Sequence, residues 1–304
     1  MDGIIIINKP KGCTSHDIVY KVKKMTGEKV GHTGTLDPNA TGVLPLLIGK
    51  GTLLSKYLIN HDKTYEVTLK LGQKTDTADS EGKVIEEKQV NKFILNNENI
   101  KDVLNSFIGK HKQIPPMYSA IKVKGKKLYE YARKGESIKV QPREIEIYKI
   151  NLLKIDINSL EICFEVSCSK GTYIRSLCED IAEKLGTVGY MKDLNRTKVG
   201  DFELSKAITI EEFEEYIKKS KLRNDNKKLL DKNIILIEDI FKSKSIIELN
   251  NHTLKLFYNG VKLQVNKSED IYRVYDEYNN FIGTGIVKNG ELKRDIIIKN
   301  IENV

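Results

Sequence analysis

Gly31-His32-Thr33-Gly34-Thr35-Leu36-Asp37-Pro38-Asn39-Ala40-Thr41-Gly42 fits neither a helix nor a strand. Three glycines and a proline in twelve residues describe tight, φ-restricted turns, so the stretch reads as a loop of fixed shape. Its single carboxylate, Asp37, precedes Pro38, which steers it away from helical geometry and projects the side chain out of the loop. That placement suits a nucleophile or base. It equally suits a turn in which Asp37 only accepts backbone hydrogen bonds, so the choice falls to the rest of the chain.

On the N-terminal side, Ile4 to Asn8 reads as a buried strand and Lys9-Pro10-Lys11-Gly12 as a turn. Thr14 or Ser15 caps a helix carrying Ile18, Val19, Val22 and Met25 on one face, with Gly27 as its stop. On the C-terminal side, Leu44 to Ile48 is a short strand and Thr52 to Leu58 a short helix. Gly49-Lys50-Gly51-Thr52 resembles the end of a phosphate loop, but Leu44 stands where the first glycine belongs, which excludes a nucleotide triphosphatase. Thr64 to Leu71 alternates apolar and polar residues and places Tyr65, Val67, Leu69 and Leu71 on one face of a half-buried strand. The polar run Thr75 to Gly82 lacks the ligand spacing of a calcium loop and reads as a solvated turn. Ile100, Val103, Leu104, Phe107 and Ile108 form a helical core stripe.

The formal charge of +9 points to a polyanionic partner, and its distribution narrows the choice. Lys110 to Arg143 holds ten basic and two acidic residues, whereas Ile235 to Val304 holds ten of each. Within the basic segment, Lys122, Lys124, Lys126, Lys127, Arg133 and Lys134 alternate with Tyr129 and Tyr131, which suits contacts with phosphates and unpaired bases. A solvated helix face would have the same composition.

Further on, Ser159 to Ser167 is a strand, and Ser169-Lys170-Gly171 turns it into a helix beginning near Thr172 and ending at Gly186. Arg175 falls in that helix's first turn, where the macrodipole disfavours a cation by roughly 0.3 to 1 kcal/mol, so an acidic partner from elsewhere in the fold is expected. Glu211 to Lys218 reads as a charged helix and Lys219 to Lys228 as a linker. Short strands at Leu254 to Val265, Ile271 to Tyr275, Phe281 to Val287 and Asp295 to Lys299 then suggest a small β domain. Cys13, Cys163, Cys168 and Cys178 have neither metal nor disulfide-scaffold spacing and read as reduced thiols. The five histidines form no ligand cluster, and the apolar start is too short for a signal or membrane span, so a cytoplasmic protein without a metal is expected.

Asn8-Lys9-Pro10-Lys11-Gly12, the Asp37 loop, Lys63-Thr64-Tyr65, Leu71 to Thr77, Pro115-Pro116-Met117-Tyr118-Ser119-Ala120, Gly171-Thr172-Tyr173-Ile174-Arg175 and Leu194-Asn195-Arg196-Thr197 together resemble the bacterial tRNA pseudouridine synthases of the TruB type. The resemblance runs in order over residues 1 to about 205. It implies an α+β pseudouridine synthase fold, with a mixed, mainly antiparallel central sheet flanked by helices and a small C-terminal PUA-like β domain. It implies a catalytic domain over 1–228, an RNA-clamping insertion at about 110–143 and an RNA-binding tail over 229–304. Asp37 would be the catalytic aspartate, Arg175 its ion-pair partner and Tyr65 the ring on the uracil face, with His32, Tyr173 and Leu194 shaping the pocket. Lys9, Lys122, Lys124, Lys126, Lys127, Tyr129, Arg133, Arg143 and Arg196 would contact RNA. The partner would be the T arm of tRNA, met by a monomer, and the modified uridine the one at position 55.

Isomerising uridine to pseudouridine changes no oxidation state and calls for no cofactor. An ionised carboxylate can attack ribose or base or remove a ribose proton, and Arg175 would keep it ionised by lowering its pKa. A non-catalytic tRNA-binding or tRNA-folding protein would need only the basic segment and the tail. The tail's zero net charge leads to the expectation that its removal costs RNA binding less than neutralising the basic segment.

Overall fold

The computed structural model describes residues 1–119, 121–136, 138–222 and 233–298. β1 (Gly3–Lys9) is buried along nearly its whole length, as its four consecutive isoleucines require. α1 (Ser15–Thr26) begins at a capping box between Thr14 and Asp17 and ends at Gly27, whose φ of 73° closes the last turn. The Asp37 loop lies between β2 (Val30–His32) and β3 (Thr41–Ile48), which pair antiparallel. The helix expected from Thr52 to Leu58 is a 3₁₀ segment, Gly49–Leu54, followed by the single turn α2 (Ser55–Leu58).

β4 (Lys63–Leu71) buries Tyr65, Val67, Leu69 and Leu71 on one face, and its polar residues lie on the other. The hairpin β5 (Gln73–Thr75) and β6 (Val84–Glu87), then α3 (Asn97–Asn105), lead to β7 (Gly109–Gln113). The basic segment projects from the end of β7. It contains a two-residue turn, Lys124-Gly125, between β8 (Lys122–Val123) and β9 (Lys126–Lys127), and then α4 (Leu128–Ala132). The chain returns through β10 (Arg143–Asp156), β11 (Glu161–Cys168), α5 (Ile174–Lys184), β12 (Gly189–Val199), β13 (Phe202–Glu203) and α6 (Ile210–Leu222).

A ten-stranded sheet runs in the order β14-β1-β3-β12-β4-β11-β10-β7, where β14 is Ile234–Ile235 and β2 and β13 attach at the side. Neighbours on this path pair antiparallel except at β3 and β12, which run parallel through Asn195–Thr41 and Arg196–Gly42. The two halves of the sheet therefore meet where the Asp37 loop ends. Gly42 permits that meeting: at φ 104° a Cβ would lie 2.2 Å from the Arg196 carbonyl oxygen. One core packs α3 and α5 on the β4–β11–β12 half, and another packs α1 and α6 on β1 and β3.

After α7 (Ile237–Ile240) come β15 (Ile246–Leu249), α8 (Asn251–Tyr258), β16 (Leu263–Gln264), β17 (Asp270–Asp276), β18 (Phe281–Lys288) and β19 (Glu291–Ile297). They form the expected small β domain, a five-stranded sheet ordered β15-β17-β18-β19-β16. The strand expected from Leu254 to Val265 is instead mostly α8. Asn250 caps it through the Thr253 amide, and Leu254, Phe257 and Tyr258 are buried at helical spacing. The linker expected from Lys219 to Lys228 begins as helix, because Lys218 and Lys219 pair with Glu214 and Glu215 one turn back. The rest of that linker, with the expected domain boundary after 228, lies outside the described residues. So do Ala120 of the Pro115 stretch and Lys299 of the last expected strand.

The β domain is not a separately packed module. Ile237, Phe241, Tyr275, Phe281 and Ile296 share one core with Ile4, Ile6, Val43 and Leu47 of the central sheet. Lys56 and Tyr57 of α2 both reach the buried carboxylate of Asp295, and the Tyr57 and Phe241 rings meet edge-on at 5.1 Å. Each large apolar side chain re-exposed is worth about 1.5 to 3 kcal/mol. Deleting everything after residue 228 should therefore lower the melting temperature by at least about 10 °C, read by circular dichroism. An unchanged melting temperature would show that the shared core contributes nothing to stability.

Candidate active site

Between β2 and β3 the Asp37 loop has few backbone partners of its own, and side chains from distant segments supply them. Ser15, the first residue of α1, donates to the Leu36 carbonyl at 3.1 Å and accepts from the Leu36 amide at 2.8 Å. The fully buried ammonium of Lys9 donates to the carbonyls of Pro10, Cys13 and Pro38 at 2.9, 2.7 and 3.0 Å. Arg196, 1% exposed, donates to the carbonyls of Gly34, Thr35 and Val43 at 3.0, 3.4 and 2.8 Å. Held in this way, the loop projects Asp37 into a cavity of about 480 Å³ that Tyr65, Tyr173, Arg175 and Leu194 also line.

Arg175 sits across that cavity, 6% exposed, in the first turn of α5. Its helix start is fixed from β7: the Gln113 carboxamide accepts from the Tyr173 amide at 2.8 Å and donates to the Tyr173 carbonyl at 3.0 Å. The guanidinium then uses all of its nitrogens. Nε faces Asp37 Oδ2 at 3.3 Å, Nη1 meets Asp79 Oδ2 at 3.3 Å and the Thr77 carbonyl at 3.2 Å, and Nη2 donates to the Tyr118 carbonyl at 2.8 Å. The cation disfavoured by its own helix thus has two carboxylates, one from each side.

Asp79 had no place in the sequence reading, which took Thr75 to Gly82 for a solvated turn. The turn is instead folded inward. Asp79 is buried, accepts from the Thr77 hydroxyl at 2.6 Å and the Glu81 amide at 3.1 Å, and bridges to Met191 of β12. Its local sequence is that of an ordinary polar turn, and only the long-range pairing with Arg175 distinguishes it. Gln113 was noted only as the start of the basic segment; its role depends equally on a contact 60 residues away.

The second carboxylate changes the electrostatics expected of Asp37. Although 37% of its side chain remains open to the cavity, burial pushes its pKa above the ordinary carboxylate value. Arg175, Lys9 and Arg196 pull it down, Asp79 pushes it further up, and the balance is upward. Burial also pushes the Tyr65 hydroxyl up to about 12, so at neutral pH this side chain presents an uncharged ring. Tyr65 is at once a core residue and a pocket wall.

Three further expectations need correction. Lys9 and Arg196, expected to touch RNA, are both buried and donate to loop carbonyls, so they brace the loop, Lys9 from beneath it and Arg196 from the cavity wall. His32 does not line the cavity; its Nδ1 accepts from the Gly34 amide at 3.2 Å and so shapes the loop. In the basic segment, Lys122, Lys124, Lys126 and Arg133 are exposed, as is Arg143 at the start of β10. Tyr129 lines the cavity, with the cations of Lys127 and Arg133 each 5.3 Å from its ring centroid. Among the described residues no group of three His, Cys, Asp or Glu side chains is placed to hold a metal ion, and no helix is long and apolar enough to cross a membrane.

The fold extends beyond this chain. A chain of an H/ACA RNP bound to a substrate RNA containing 2'-deoxyuridine shares it over 98% of this chain and 85% of that one, with a TM-score of 0.69 at 22% identity. A chain of a Cbf5-Nop10-Gar1 complex does so with a TM-score of 0.67 at 24% identity. The mixed sheet and the helices on it are that shared fold, and the family model that matches most of them is one of pseudouridylate synthases. Residues 21–174 match the TruB family pseudouridylate synthase N-terminal domain, and residues 175–242 the tRNA pseudouridylate synthase B C-terminal domain. tRNA pseudouridine synthase B of Clostridium novyi is 44% identical over 303 residues, covering 96% of this chain and 98% of its own. That of Caldanaerobacter subterraneus is 40% identical over 296 residues, with the same two coverages. The chain belongs to the TruB family of pseudouridylate synthases.

Two measurements follow from the arginine and its two carboxylates. Arg175→Lys should lower single-turnover rate by about 100-fold or more, because one flexible ammonium cannot hold acceptors from three segments, and misplacement of this order has that cost. If activity requires ionised Asp37, the rate should fall as pH drops through a value above the ordinary carboxylate pKa of about 3.9. Asp79→Asn removes a charge that raises the Asp37 pKa, so the acid limb of the pH–rate profile should move to lower pH. A limb that stays in place would separate the Asp37 titration from Asp79.

Proposed function

We propose that this protein converts the uridine at position 55, in the T arm of tRNA, to pseudouridine, acting in the cytoplasm as a monomer and without a cofactor. One observation carries the reading: a carboxylate on a braced loop, its arginine and an aromatic ring converge on one cavity, and a single chain provides all of them. The segment 110–143, whose lysines are mostly exposed and whose Tyr118 and Tyr129 reach the cavity, would grip the T arm.

The reaction breaks the C1'–N1 bond, forms C1'–C5, takes a proton from C5 and returns one to N1, so atoms and electrons balance without a co-reactant. A stacked uridine is out of reach of a carboxylate in a cavity, so the base has to be extruded, at a cost that stacking on Tyr65 offsets in part. Asp37 would act as the ionised group, as a nucleophile or as a base toward the ribose. Arg175 would hold its Oδ2, and the buried Lys9 and Arg196 would keep the loop from yielding as substrate binds. Leu194 would close the cavity around the base and help to exclude water.

The C5 proton supplies the test. With tRNA tritiated at C5 of its uridines, the wild type should release label to water, whereas Asp37→Asn should bind the same tRNA and release none. Tight binding by the wild type with no release would instead identify a tRNA-binding or tRNA-folding protein. Replacing Lys122, Lys124, Lys126 and Lys127 with neutral residues should weaken binding and flatten the slope of log K against log salt by up to about 0.7 to 0.9 per lysine. An unchanged slope would place those lysines on a face that RNA does not touch.

A further inference from the structure

The charge lining the cavity exceeds what Asp37 requires. Lys63, Lys170, Arg175 and Arg196 line it, and among the described residues Asp37 is the one acidic residue that does. Arg175 is matched by two carboxylates and Arg196 is locked onto the loop carbonyls. Lys63 and Lys170 are neither paired with a carboxylate among the described residues nor held by several carbonyls. Lys63 is only 9% exposed, yet among the described residues it has no carboxylate at ion-pair distance; its ammonium donates to the His61 carbonyl. Lys170, exposed at the rim, donates to the neutral Asn60 Oδ1 at 2.7 Å. A buried ammonium without an ion-pair partner is costly, and here burial and the neighbouring Arg196 press the Lys63 pKa downward more than the Cys168 thiol and the more distant Asp62 raise it. A site that bears this cost is built for an anion that arrives with the substrate.

An extruded uridine has a neutral base and a neutral ribose, and its only anions are the phosphodiesters on either side. We infer that Lys63 and Lys170 form a phosphodiester subsite, holding a phosphate next to the extruded nucleotide and thereby setting the register of its base against Tyr65. This rests on the RNA substrate proposed above. The spacing fits. Lys63 and Tyr65 are alternate residues on the same face of β4, about 6.6 Å apart along the strand, comparable with the span of the ribose between a base and its phosphate. Lys63 stands on β4 beside Tyr65, and Lys170 lies in the turn between β11 and α5, four residues from the start of the helix that carries Arg175. Phosphate contacts carry no base specificity but fix register, which a base removed from its helix otherwise lacks.

The test is a cycle between protein and RNA charge. Full-length tRNA is prepared with one neutral methylphosphonate linkage, on the 5' or the 3' side of the target uridine, and its binding is compared for wild type, Lys63→Met and Lys170→Ala. Methionine preserves the buried stem of Lys63, and Lys170→Ala, at an exposed position, carries the test alone if Lys63→Met does not fold. Wild type should lose affinity several-fold on one of the two neutral linkages, each variant should bind both RNAs alike, and each variant's salt slope should fall by about 1. The inference is overturned if the variants lose as much on the neutral linkage as wild type does. It is also overturned if affinity and slope stay at wild-type values while label release from C5 falls, which would assign the lysines to the uracil. Wild type that shows the binding cycle yet never releases label would refute the reaction and leave the phosphate subsite standing.

Discussion

The Arg175 guanidinium is the contact on which the rest of the site depends. Its planar fork faces four acceptors, and each nitrogen points at a different segment: the Asp37 loop, the Thr77–Asp79 turn and the Tyr118 carbonyl at the root of the basic segment. A lysine at the same place could satisfy only part of that set. Because the guanidinium is nearly buried, water cannot replace a lost partner, and each of the three segments is constrained by the other two. The position of the basic segment is thereby coupled to that of the Asp37 carboxylate. A movement of that segment therefore also acts on the carboxylate.

A similar economy holds the Asp37 loop. A loop with few backbone partners would be soft, and carbonyls turned toward the packed interior would go unpaired. Ser15, Lys9 and Arg196 occupy the carbonyls of Leu36, Pro38, Gly34 and Thr35 instead. Two of the three are cations that among the described residues have no carboxylate at ion-pair distance, so the loop is stiffened and its surroundings are made positive by the same atoms. That field draws the Asp37 pKa down, against burial and Asp79, which push it up. The balance is upward, and the carboxylate is less strongly solvated than a free one.

The C-terminal β domain shares this logic of long-range support. Its net charge of zero suggested a dispensable tail, but the apolar residues of α7, β17, β18 and β19 complete a core that begins with Ile4 and Ile6. Those isoleucines lie in β1, next to β3, which carries the end of the Asp37 loop. Charge describes what a surface can attract, whereas core sharing describes what a domain holds up.

Elements set by neighbours in the chain were legible from the sequence alone. The alternation of β4 placed Tyr65 on the buried face, Gly27 marked the end of α1, and the glycines and proline around Asp37 defined a loop. The ordered motifs pointed to the family. Even the awkward position of Arg175 at a helix start called for an acid. The sequence did not show that two acids would answer, nor that Asp79 would leave its apparent turn to be one of them, because that choice is made 96 residues away. It could not separate Lys9 and Arg196, buried as braces, from the exposed lysines at 122 to 126, since a cation has the same letter in either place. It read α8 as a strand because short apolar runs suit both periods until a cap and a packing face decide. Periodicity and turn chemistry act over a few residues and are written in the chain. Burial and charge pairing depend on which distant segments the sheet brings together, and only the tertiary structure decides that.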